Sequence, residues 1–389
     1  MSDTLALFPD LVAGPAGDSR TTGILPSQRL ADLVSAGHIR AAAPIADSQI
    51  QACSIDLRLG STGYEVCASF LPGLNATVEK KLNEVKLREI DLSQPALFEK
   101  GKVYIVPLQE ELLLPENYSA KANPKSSIGR LGVFTRVITD YGNAFEEIRT
   151  AYKGKLYAEI VPLTFSVYIR KGVRLNHLRV RRGNPVPFDK ILMDLHQAEP
   201  LVYAQDESPL EPLISDGLKL SVDLQGVDGS EVIGYRAKPE APPLDVERLN
   251  FYNPSDYWER ICRKDRGAII LAPGDFYILT SKEKVCVPPH MAAEMVPFDP
   301  SVGEFRMHYA GFFDPGFGWS PEKTTGNHAV LEVRSHEVQS LLEDGQAVIR
   351  LKYEHLLEQP AKVYGGRGTS SSYRSQGLTL SKHFKPDPY

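Results

Sequence analysis

Gly101-Lys-Val-Tyr-Ile-Val106 returns as Gly274-Asp-Phe-Tyr-Ile-Leu279, and the two stretches differ in residue number by a constant offset, 274 − 101 = 173. Three further pairs of identical residues are separated by the same offset: Glu110 and Glu283, Pro115 and Pro288, and Glu159 and Glu332. A regular spacing of strands and turns does not by itself explain why Gly, Pro and Glu residues recur at one constant offset. The repeat therefore predicts two copies of one structural unit.

Short apolar or alternating runs bounded by Gly, Pro or Asn predict that the unit is built mainly from β-strands. The clearest runs are Leu112–Leu114, Lys155–Val161, Phe165–Ile169 and Ala268–Leu271. The 29 prolines and 30 glycines spread along the chain disfavour long helices. One short helix is expected after Pro26, capped by Ser27 and stopped at Gly37.

The predicted fold is thus mainly β, with two tandem domains and short helices. We place the first domain at residues 1–205 and the second at 206–389, with the boundary in the Pro-rich segment 199–212.

Composition excludes several classes of protein. The 389 residues carry 44 Lys+Arg against 49 Asp+Glu, a net charge of −5, so no excess of cations is available to neutralise nucleic-acid phosphates. The basic run Arg179–Arg182 is accordingly interpreted as a solvated strand end. No apolar stretch is long enough to span a membrane, and the start MSDTLALFPD does not look like a secretory signal. We expect a cytoplasmic protein that binds neither nucleic acid nor membrane.

The four cysteines form no C-x-x-C pair, which makes a structural zinc site improbable. The chain also lacks the H-x-E and P-C-x-x-C motifs of zinc-dependent cytidine deaminases. No zinc or other metal held by the protein is therefore expected.

The first copy contains Pro124-Lys-Ser-Ser-Ile-Gly-Arg-Leu-Gly132. Hydroxyl groups, backbone N–H groups and a cation in such a turn suit phosphate oxygens. The alternative is that Ser126 or Ser127 simply caps a helix and that Arg130 faces solvent.

The second copy contains Tyr309–Trp319, in which Asp314-Pro-Gly is a strong turn signal between aromatic residues. This pattern fits a ligand-binding hairpin and, equally, a plain hairpin with one apolar face. Glu332 follows on a strand between Leu331 and Val333, where partial burial would raise its pKa and suit it to proton transfer. The alternative is an exposed Glu332 paired with Arg334.

Taken in order, these motifs resemble the dCTP deaminase family, whose members are relatives of the trimeric dUTPases. The matching segments are Ser54–Gly60, Lys125–Gly132, Asp314–Phe317, Leu331–Glu332, Tyr364 and Tyr373–Gly377. The resemblance implies a dUTPase-like (β-clip) fold for each copy. A further similarity, at the slightly different offset 223 − 56 = 167, links Ser54-Ile-Asp-Leu57 to Ser221-Val-Asp-Leu224.

Each copy has kept different parts of the family pattern. The first-copy hairpin, Thr139–Phe145, lacks Asp-Pro-Gly, and the second-copy counterpart of the Lys-Ser-Ser string is Asp299–Glu304, whose Glu304 would repel a triphosphate. The sequence therefore predicts a composite site, with phosphate-binding residues from copy one and the base pocket and general base from copy two. Whether the site forms within one chain or between chains stays open.

The resemblance implies hydrolysis of dCTP to dUTP and ammonia, with a water molecule activated by a glutamate rather than by a metal. The implied catalytic residues are Glu332, Ser126 and Arg130, with Glu159 as the second choice for the carboxylate. The implied substrate-binding residues are Lys125, Ser127, Ala310, Asp314, Phe317, Tyr364 and Gln376. Mg²⁺ is expected to arrive on the substrate triphosphate.

Two other functions stay open at this point. A dUTPase, or a deaminase that continues to dUMP, would depend more on Asp314 than on Glu332. A non-catalytic deoxynucleotide sensor is the other hypothesis, although random decay would not leave one complementary set of motifs. Inhibition by dTTP is an expectation of the resemblance, and the sequence leaves open whether the chain is a monomer or a homo-oligomer.

Overall fold

The computed structural model describes residues 20–263, 267–296, 305–306, 309, 311–335, 337–366 and 377–387. Strands account for 41% and helices for 12%, so the mainly β expectation is confirmed. No helix in these ranges is long and apolar enough to cross a bilayer.

The strands before residue 185 are β1 (Gly23–Ile24), β2 (Ile39–Ala41), β3 (Ile55–Leu57), β4 (Thr62–Val66), β5 (Lys86–Asp91), β6 (Ala96–Phe98), β7 (Val103–Leu113), β8 (Tyr118–Pro124), β9 (Val133–Thr139), β10 (Glu147–Ile148), β11 (Lys153–Pro162), β12 (Val167–Ile169) and β13 (Asn176–Arg182). The later strands are β14 (Val202–Tyr203), β15 (Leu213–Ile214), β16 (Leu218–Ser221), β17 (Val232–Ala237), β18 (Leu244–Asp245), β19 (Trp258–Cys262), β20 (Ala268–Leu271), β21 (Phe276–Val285), β22 (Met291–Met295), β23 (Phe305–Arg306), β24 (Phe312–Phe313), β25 (Asn327–Ser335), β26 (Ser340–Glu343) and β27 (Ala347–His355). The helices are α1 (Ser27–Ser35), α2 (Val78–Val85), α3 (Ser126–Gly129), α4 (Asp189–Ala198) and α5 (Pro254–Tyr257), with 3-10 turns at Asp47–Gln49 and Val227–Gly229.

Four sheets carry most of the strands, and they come in two matching pairs. One pair has the strand orders β5-β4-β7-β11-β9 and β19-β17-β21-β25-β23. The other has β1-β13-β8-β10, with β3 on β13, and β15-β16-β27-β22-β24. In the following, "first half" and "second half" mean the elements β1–β13 and β14–β27.

The strand pairing follows the offset of the sequence repeat. Ile105 pairs with Glu159 in the first half, and Ile278 pairs with Glu332 in the second. Both partners are therefore displaced by the same offset, 278 − 105 = 173 and 332 − 159 = 173. The dUTPase-like character of the copies and their boundary at residues 205 and 206 stay predictions. β18 pairs in parallel with β12, so the halves also exchange strand contacts.

The two copies differ in the segment that precedes the repeat. The predicted correspondence between Ser54–Leu57 and Ser221–Leu224 is wrong. Glu110 accepts a hydrogen bond from the backbone N of Arg58 (2.7 Å), and Glu283 accepts one from the backbone N of Ser221 (2.8 Å). The counterpart of Arg58 is thus Ser221, at an offset of 221 − 58 = 163. The two Ser-x-Asp-Leu segments therefore occupy different positions in the fold. The reason is that the chain between this region and the repeated strands differs in length between the copies.

The predicted N-terminal helix is present as α1, although its cap differs from the prediction. Ser27 is the first helical residue and Pro26 occupies the cap position, with no side-chain hydrogen bond. Leu30 and Leu33 are buried, which explains why the helix docks. Gly37 has φ +74°, a conformation that favours glycine, and ends the helix as expected.

The largest hydrophobic core among the described residues contains side chains of both halves. Trp258 of the second half is 3% exposed and meets Phe165 of the first half edge-on, with ring centroids 5.4 Å apart. Phe276 and Phe384 complete the cluster around its indole. Each buried aromatic side chain contributes about 2–3 kcal/mol relative to exposure to water. This shared core fixes how the halves face each other.

The segment that ends the described chain is held by buried His383. Its Nε2 donates to the carbonyl oxygen of Val246 (2.9 Å), since that oxygen can only accept, and its Nδ1 lies 2.7 Å from Oγ of Ser381. Oγ of Ser381 also lies 2.6 Å from the carbonyl oxygen of Ser127. Burial lowers the pKa of His383 to about 4.

We expect the free energy of unfolding to fall as the pH drops from about 6.5 towards about 4. The unfolded chain takes up a proton at His383 near pH 6.5, whereas the folded chain resists it, and a gap of about 2.5 pKa units corresponds to about 3 kcal/mol. The His383→Gln variant should show a shallower decline in urea titrations across this pH range. An unchanged slope would contradict the assignment to His383.

Candidate active site

The predicted phosphate-binding string forms a tight turn where β8 ends. Lys125 precedes the short helix α3, and Ser126 is half-buried at its start. Ser127 and Arg130 are 6% and 4% exposed, so the interpretation of Arg130 as a solvent-facing residue is wrong. The guanidinium of Arg130 donates to the carbonyl oxygen of Thr379 (2.9 Å).

Glu332 of the second half lies against this turn of the first half. A Cβ atom at Gly129 would stand 2.6 Å from Oε1 of Glu332, closer than any side chain allows. Only a glycine at position 129 leaves room for the carboxylate, a constraint that the sequence alone did not show. Two of the predicted catalytic regions therefore meet within a single chain.

The burial of Glu332 rules out its interpretation as an exposed residue, because it is only 2% exposed. Its Oε2 accepts a hydrogen bond from the backbone N of Tyr309 (2.7 Å). Arg334, the alternative partner, donates instead to the hydroxyls of Tyr309 (2.7 Å) and Thr164 (2.6 Å). The carboxylate is thus held in place by the chain on both sides, with a backbone donor on one oxygen.

The predicted turn after β24 is held by residues of the first half. The backbone N of Gly311 donates to Oδ1 of Asn123 (2.6 Å). Oδ1 of Asp314 accepts hydrogen bonds from the guanidinium of Arg179 (3.3 Å) and from the thiol of Cys53 (3.5 Å). The expectation that Arg179 is solvated is therefore wrong, since it is 1% exposed.

Phe317 of the turn packs into the interior of the second half. Phe317 is 5% exposed and belongs to the core of the second half, packing on Phe313 and Tyr364 with ring centroids 5.0 and 5.5 Å away. The backbone N of Tyr364 donates to the carbonyl oxygen of Pro315 (2.7 Å), which brings this predicted residue to the turn. Ala310, Gln376 and the segment 299–304 lie outside the described residues.

Lys125 belongs to a cluster of cations around one buried carboxylate. Its Nζ forms an ion pair with Oδ2 of Asp56, and Arg174 approaches the same oxygen at 3.7 Å. Burial lowers the pKa of Lys382, and the charge of Lys125 lowers it further while Asp56 opposes the shift. Lys125 and Arg174 thus share one carboxylate, whose Oδ1 has no hydrogen-bond partner among the described residues. Lys382 lies near enough for its pKa to respond to the charges of Lys125 and Asp56. Arg174 and Lys382 were not among the predicted residues.

Glu159, the second-choice carboxylate, lies at the matching position of the first half but in different surroundings. It is 1% exposed and pairs with Arg136, whose Nε lies 3.1 Å from its Oε1. The Arg136 guanidinium rests on the ring of Phe145 at 3.3 Å from the centroid. Glu159 is therefore already engaged by a cation of its own half.

The first-half hairpin, Thr139–Phe145, is covered by the segment of the chain that precedes α2. The backbone N of Gly73 donates to the carbonyl oxygen of Gly142 (2.9 Å), and that of Tyr141 donates to the carbonyl oxygen of Ala76 (2.9 Å). The segment that precedes α2 therefore covers this hairpin and closes the region where the first half would have its own site.

Comparison with known proteins gives consistent matches along the chain. The family model of the 2'-deoxycytidine 5'-triphosphate deaminase N-terminal domain matches residues 21–184, and that of the C-terminal domain matches residues 188–384. A crystal structure described as 2'-deoxycytidine 5'-triphosphate deaminase from Agrobacterium tumefaciens superposes with a TM-score of 0.82 and 49% identity. The match covers 88% of this chain and 100% of that one.

Curated relatives are more distant. A protein of Coprothermobacter proteolyticus named "dCTP deaminase, dUMP-forming" is 30% identical over 100 residues, which cover 25% of this chain and 52% of that protein. A protein of Methanobrevibacter smithii with the same name is 28% identical over 186 residues, 47% of this chain and 86% of that protein. The chain thus spans about half of the first relative and most of the second.

Proposed function

The chain belongs to the 2'-deoxycytidine 5'-triphosphate (dCTP) deaminase family, and from this membership we propose that it hydrolyses dCTP to dUTP and ammonia at one site within each chain. The observation that carries the proposal is the packing of the Glu332 carboxylate against Gly129. This contact joins the carboxylate of the second half to the Lys125–Gly132 turn of the first half. A complementary set of residues brought together in one place also argues against a decayed nucleotide sensor.

Glu332 is the proposed proton shuttle. Its carboxylate accepts a proton from a water molecule as the water oxygen bonds to C4 of cytosine, and it delivers this proton to N3. It then passes the proton of the new hydroxyl to the amino group, which leaves as ammonia while the C4–O bond becomes a carbonyl. The backbone N of Tyr309 keeps the carboxylate oriented through both transfers.

Ser126 and Arg130 are the proposed partners of this carboxylate. The hydroxyl of Ser126 would orient the water, and the guanidinium of Arg130 would stabilise negative charge that develops near C4. Arg130 is well suited to a fixed geometry because it is buried and tied to Thr379. A preorganised donor is worth more there than in water, since it needs no reorientation during the reaction.

The triphosphate is proposed to bind at the cationic cluster beside α3. Lys125 and Ser127 were predicted for this role, and Arg174 and Lys382 add positive charge around Asp56. We assign the remaining predicted contacts to the nucleoside: Ala310, Asp314, Phe317, Tyr364 and, from the stretch Tyr373–Gly377, Gln376.

Mg²⁺ is proposed to enter with the nucleotide rather than to occupy a site built by the protein. In the part of the chain that the structure describes, no three His, Cys, Asp or Glu side chains are grouped to hold a metal ion. The charged groups near α3 are mainly cations, which suits phosphate oxygens rather than Mg²⁺. When bound, the ion would neutralise part of the triphosphate charge.

A second candidate is a deaminase that continues to dUMP. The curated relatives are named dUMP-forming, and Asp314 offers a carboxylate whose Oδ1 is fixed by Arg179. Such a carboxylate could position a second water for attack at the α-phosphate.

Incubation of the protein with dCTP and Mg²⁺ tests the proposal directly. We expect ammonia and dUTP in equal amounts, measured by a coupled ammonia assay and by chromatography of the nucleotides. Ammonia with dUMP and pyrophosphate would favour the second candidate. Binding of dCTP without any ammonia would contradict catalysis and leave the sensor.

The Glu332→Gln variant should lose at least about a thousandfold in kcat because the amide cannot accept the proton. Its dissociation constant for dCTP should stay within about tenfold, ~1.4 kcal/mol, because the shape of the side chain is kept. Single-turnover assays and calorimetry measure the two quantities.

Glu159→Gln is the matched control for this variant, since it makes the same change at the corresponding position of the first half. We expect it to lower the melting temperature, because Arg136 loses its buried partner, while kcat at 25 °C stays within about threefold. Full activity in Glu332→Gln together with inactivity in a folded Glu159→Gln would reverse the assignment.

A mixing experiment tests whether one chain supplies the whole site. Ser126→Ala and Glu332→Gln chains carrying different affinity tags are co-expressed, and the mixed complexes, if any form, are purified through both tags. We expect no recovery of activity, because Gly129 and Glu332 meet within the same chain. Recovery to a sizeable fraction of wild-type kcat would instead place the two groups on different chains.

A further inference from the structure

Arg179 is a first-half residue, but the described acceptors of its guanidinium belong to the second half. It lies on β13 and is 1% exposed. One guanidinium nitrogen donates to the carbonyl oxygen of Ala293 (2.9 Å) and approaches Glu354 at 3.3 Å. The other donates to the carbonyl oxygen of Phe313 (2.7 Å) and approaches Oδ1 of Asp314 at 3.3 Å.

These contacts bridge two neighbouring strands. Ala293 lies on β22 and Phe313 on β24, and the two residues pair with each other across the strands. β24 has only two residues, so its ladder alone holds the following turn weakly. The guanidinium plane also lies over the ring of Phe312, 4.1 Å from its centroid.

The chemistry of the side chain matters here. A guanidinium is planar and presents several donors in a fixed fork, so it can serve two carbonyls and two carboxylates at once. A lysine ammonium is a point charge on a flexible stem and does not reproduce this arrangement. The corresponding residue of the second half is Lys352 (179 + 173), which is 39% exposed and pairs with Asp216. The role of Arg179 is therefore not a property of the repeated unit.

We propose that Arg179 is a positioning residue for the substrate-binding turn: it fixes the backbone of Phe313 and the carboxylate of Asp314, and thereby sets how the nucleoside part of the substrate binds. The inference rests on the proposed function, because it takes this turn as part of the dCTP site. Oδ1 of Asp314 accepts hydrogen bonds from both Arg179 and Cys53, so these two contacts fix the orientation of the carboxylate.

The test compares Arg179→Lys and Arg179→Met with Arg181→Met as the control. Arg181 lies on the same strand but bonds to Ser119 and Glu147 of the first half. For each variant we measure kcat and KM for dCTP, and the inhibition constant of inorganic triphosphate, which engages only phosphate-binding groups. Hydrogen–deuterium exchange is followed in the peptides that cover residues 311–318 and 126–131.

We expect Arg179→Lys to raise KM for dCTP at least about tenfold, with kcat within about threefold, because uniform binding at the turn is lost. The inhibition constant of triphosphate should stay within about twofold, and exchange should quicken at 311–318 only. Arg179→Met should show the same pattern more strongly, whereas Arg181→Met should leave every quantity within about twofold. If the Met variant does not fold, the Lys variant carries the test.

Two outcomes would overturn the inference. One is a folded Arg179→Lys variant with an unchanged KM and unchanged exchange at 311–318. The other is a parallel rise of KM and of the triphosphate inhibition constant, since that would mark a general effect on the site. If the wild-type protein does not deaminate dCTP, the proposed function fails, but the exchange measurement still decides whether Arg179 holds the turn.

Discussion

The contact between the Glu332 carboxylate and Gly129 is the constraint on which the candidate site depends. It requires a residue without a side chain at position 129, a buried strand that carries Glu332, and two halves that meet at a fixed distance. The shared aromatic core around Trp258 meets the last requirement, because it packs side chains of both halves against one indole. Aromatic packing between the halves therefore sets how Glu332 and the Lys125–Gly132 turn face each other.

Charge is distributed unevenly around this contact. Lys125 and Arg174 pair with Asp56 on the side of α3, and Lys382 adds a further positive charge near them. Glu332, by contrast, accepts a hydrogen bond from the backbone N of Tyr309. The proposed phosphate-binding residues and the proposed proton shuttle thus lie in different surroundings, and under this proposal they come from different copies of the repeat. The corresponding region of the first half is already occupied by protein groups. Arg136 pairs with Glu159, and the segment before α2 covers the first-half hairpin.

The sequence predicted the parts of the structure that repeat. The constant offset between the copies anticipated the pairing of Ile105 with Glu159 and of Ile278 with Glu332, because strand register is kept when a unit is duplicated. The prediction failed for the segment that precedes the repeat, where the matching Ser-x-Asp-Leu letters do not share a place in the fold. Short motifs carry no information about the lengths of the loops that lead into them.

The candidate site could be predicted where side chains are chemically distinctive, and less well where the fold supplies their partners. Ser126, Arg130 and Glu332 stand in recognisable strings. Arg179 does not, because its partners are mostly backbone carbonyls and carboxylates far along the chain. Lys382 is likewise an ordinary lysine until the C-terminal segment folds back onto Ser127 through Ser381.

Because Gly129 and Glu332 belong to one polypeptide, the contact between them is completed by folding rather than by association of subunits. The covalent link holds the two groups at a high effective concentration that does not change with the amount of protein in solution. Dilution does not separate them, as it would a pair of groups divided between weakly associating subunits.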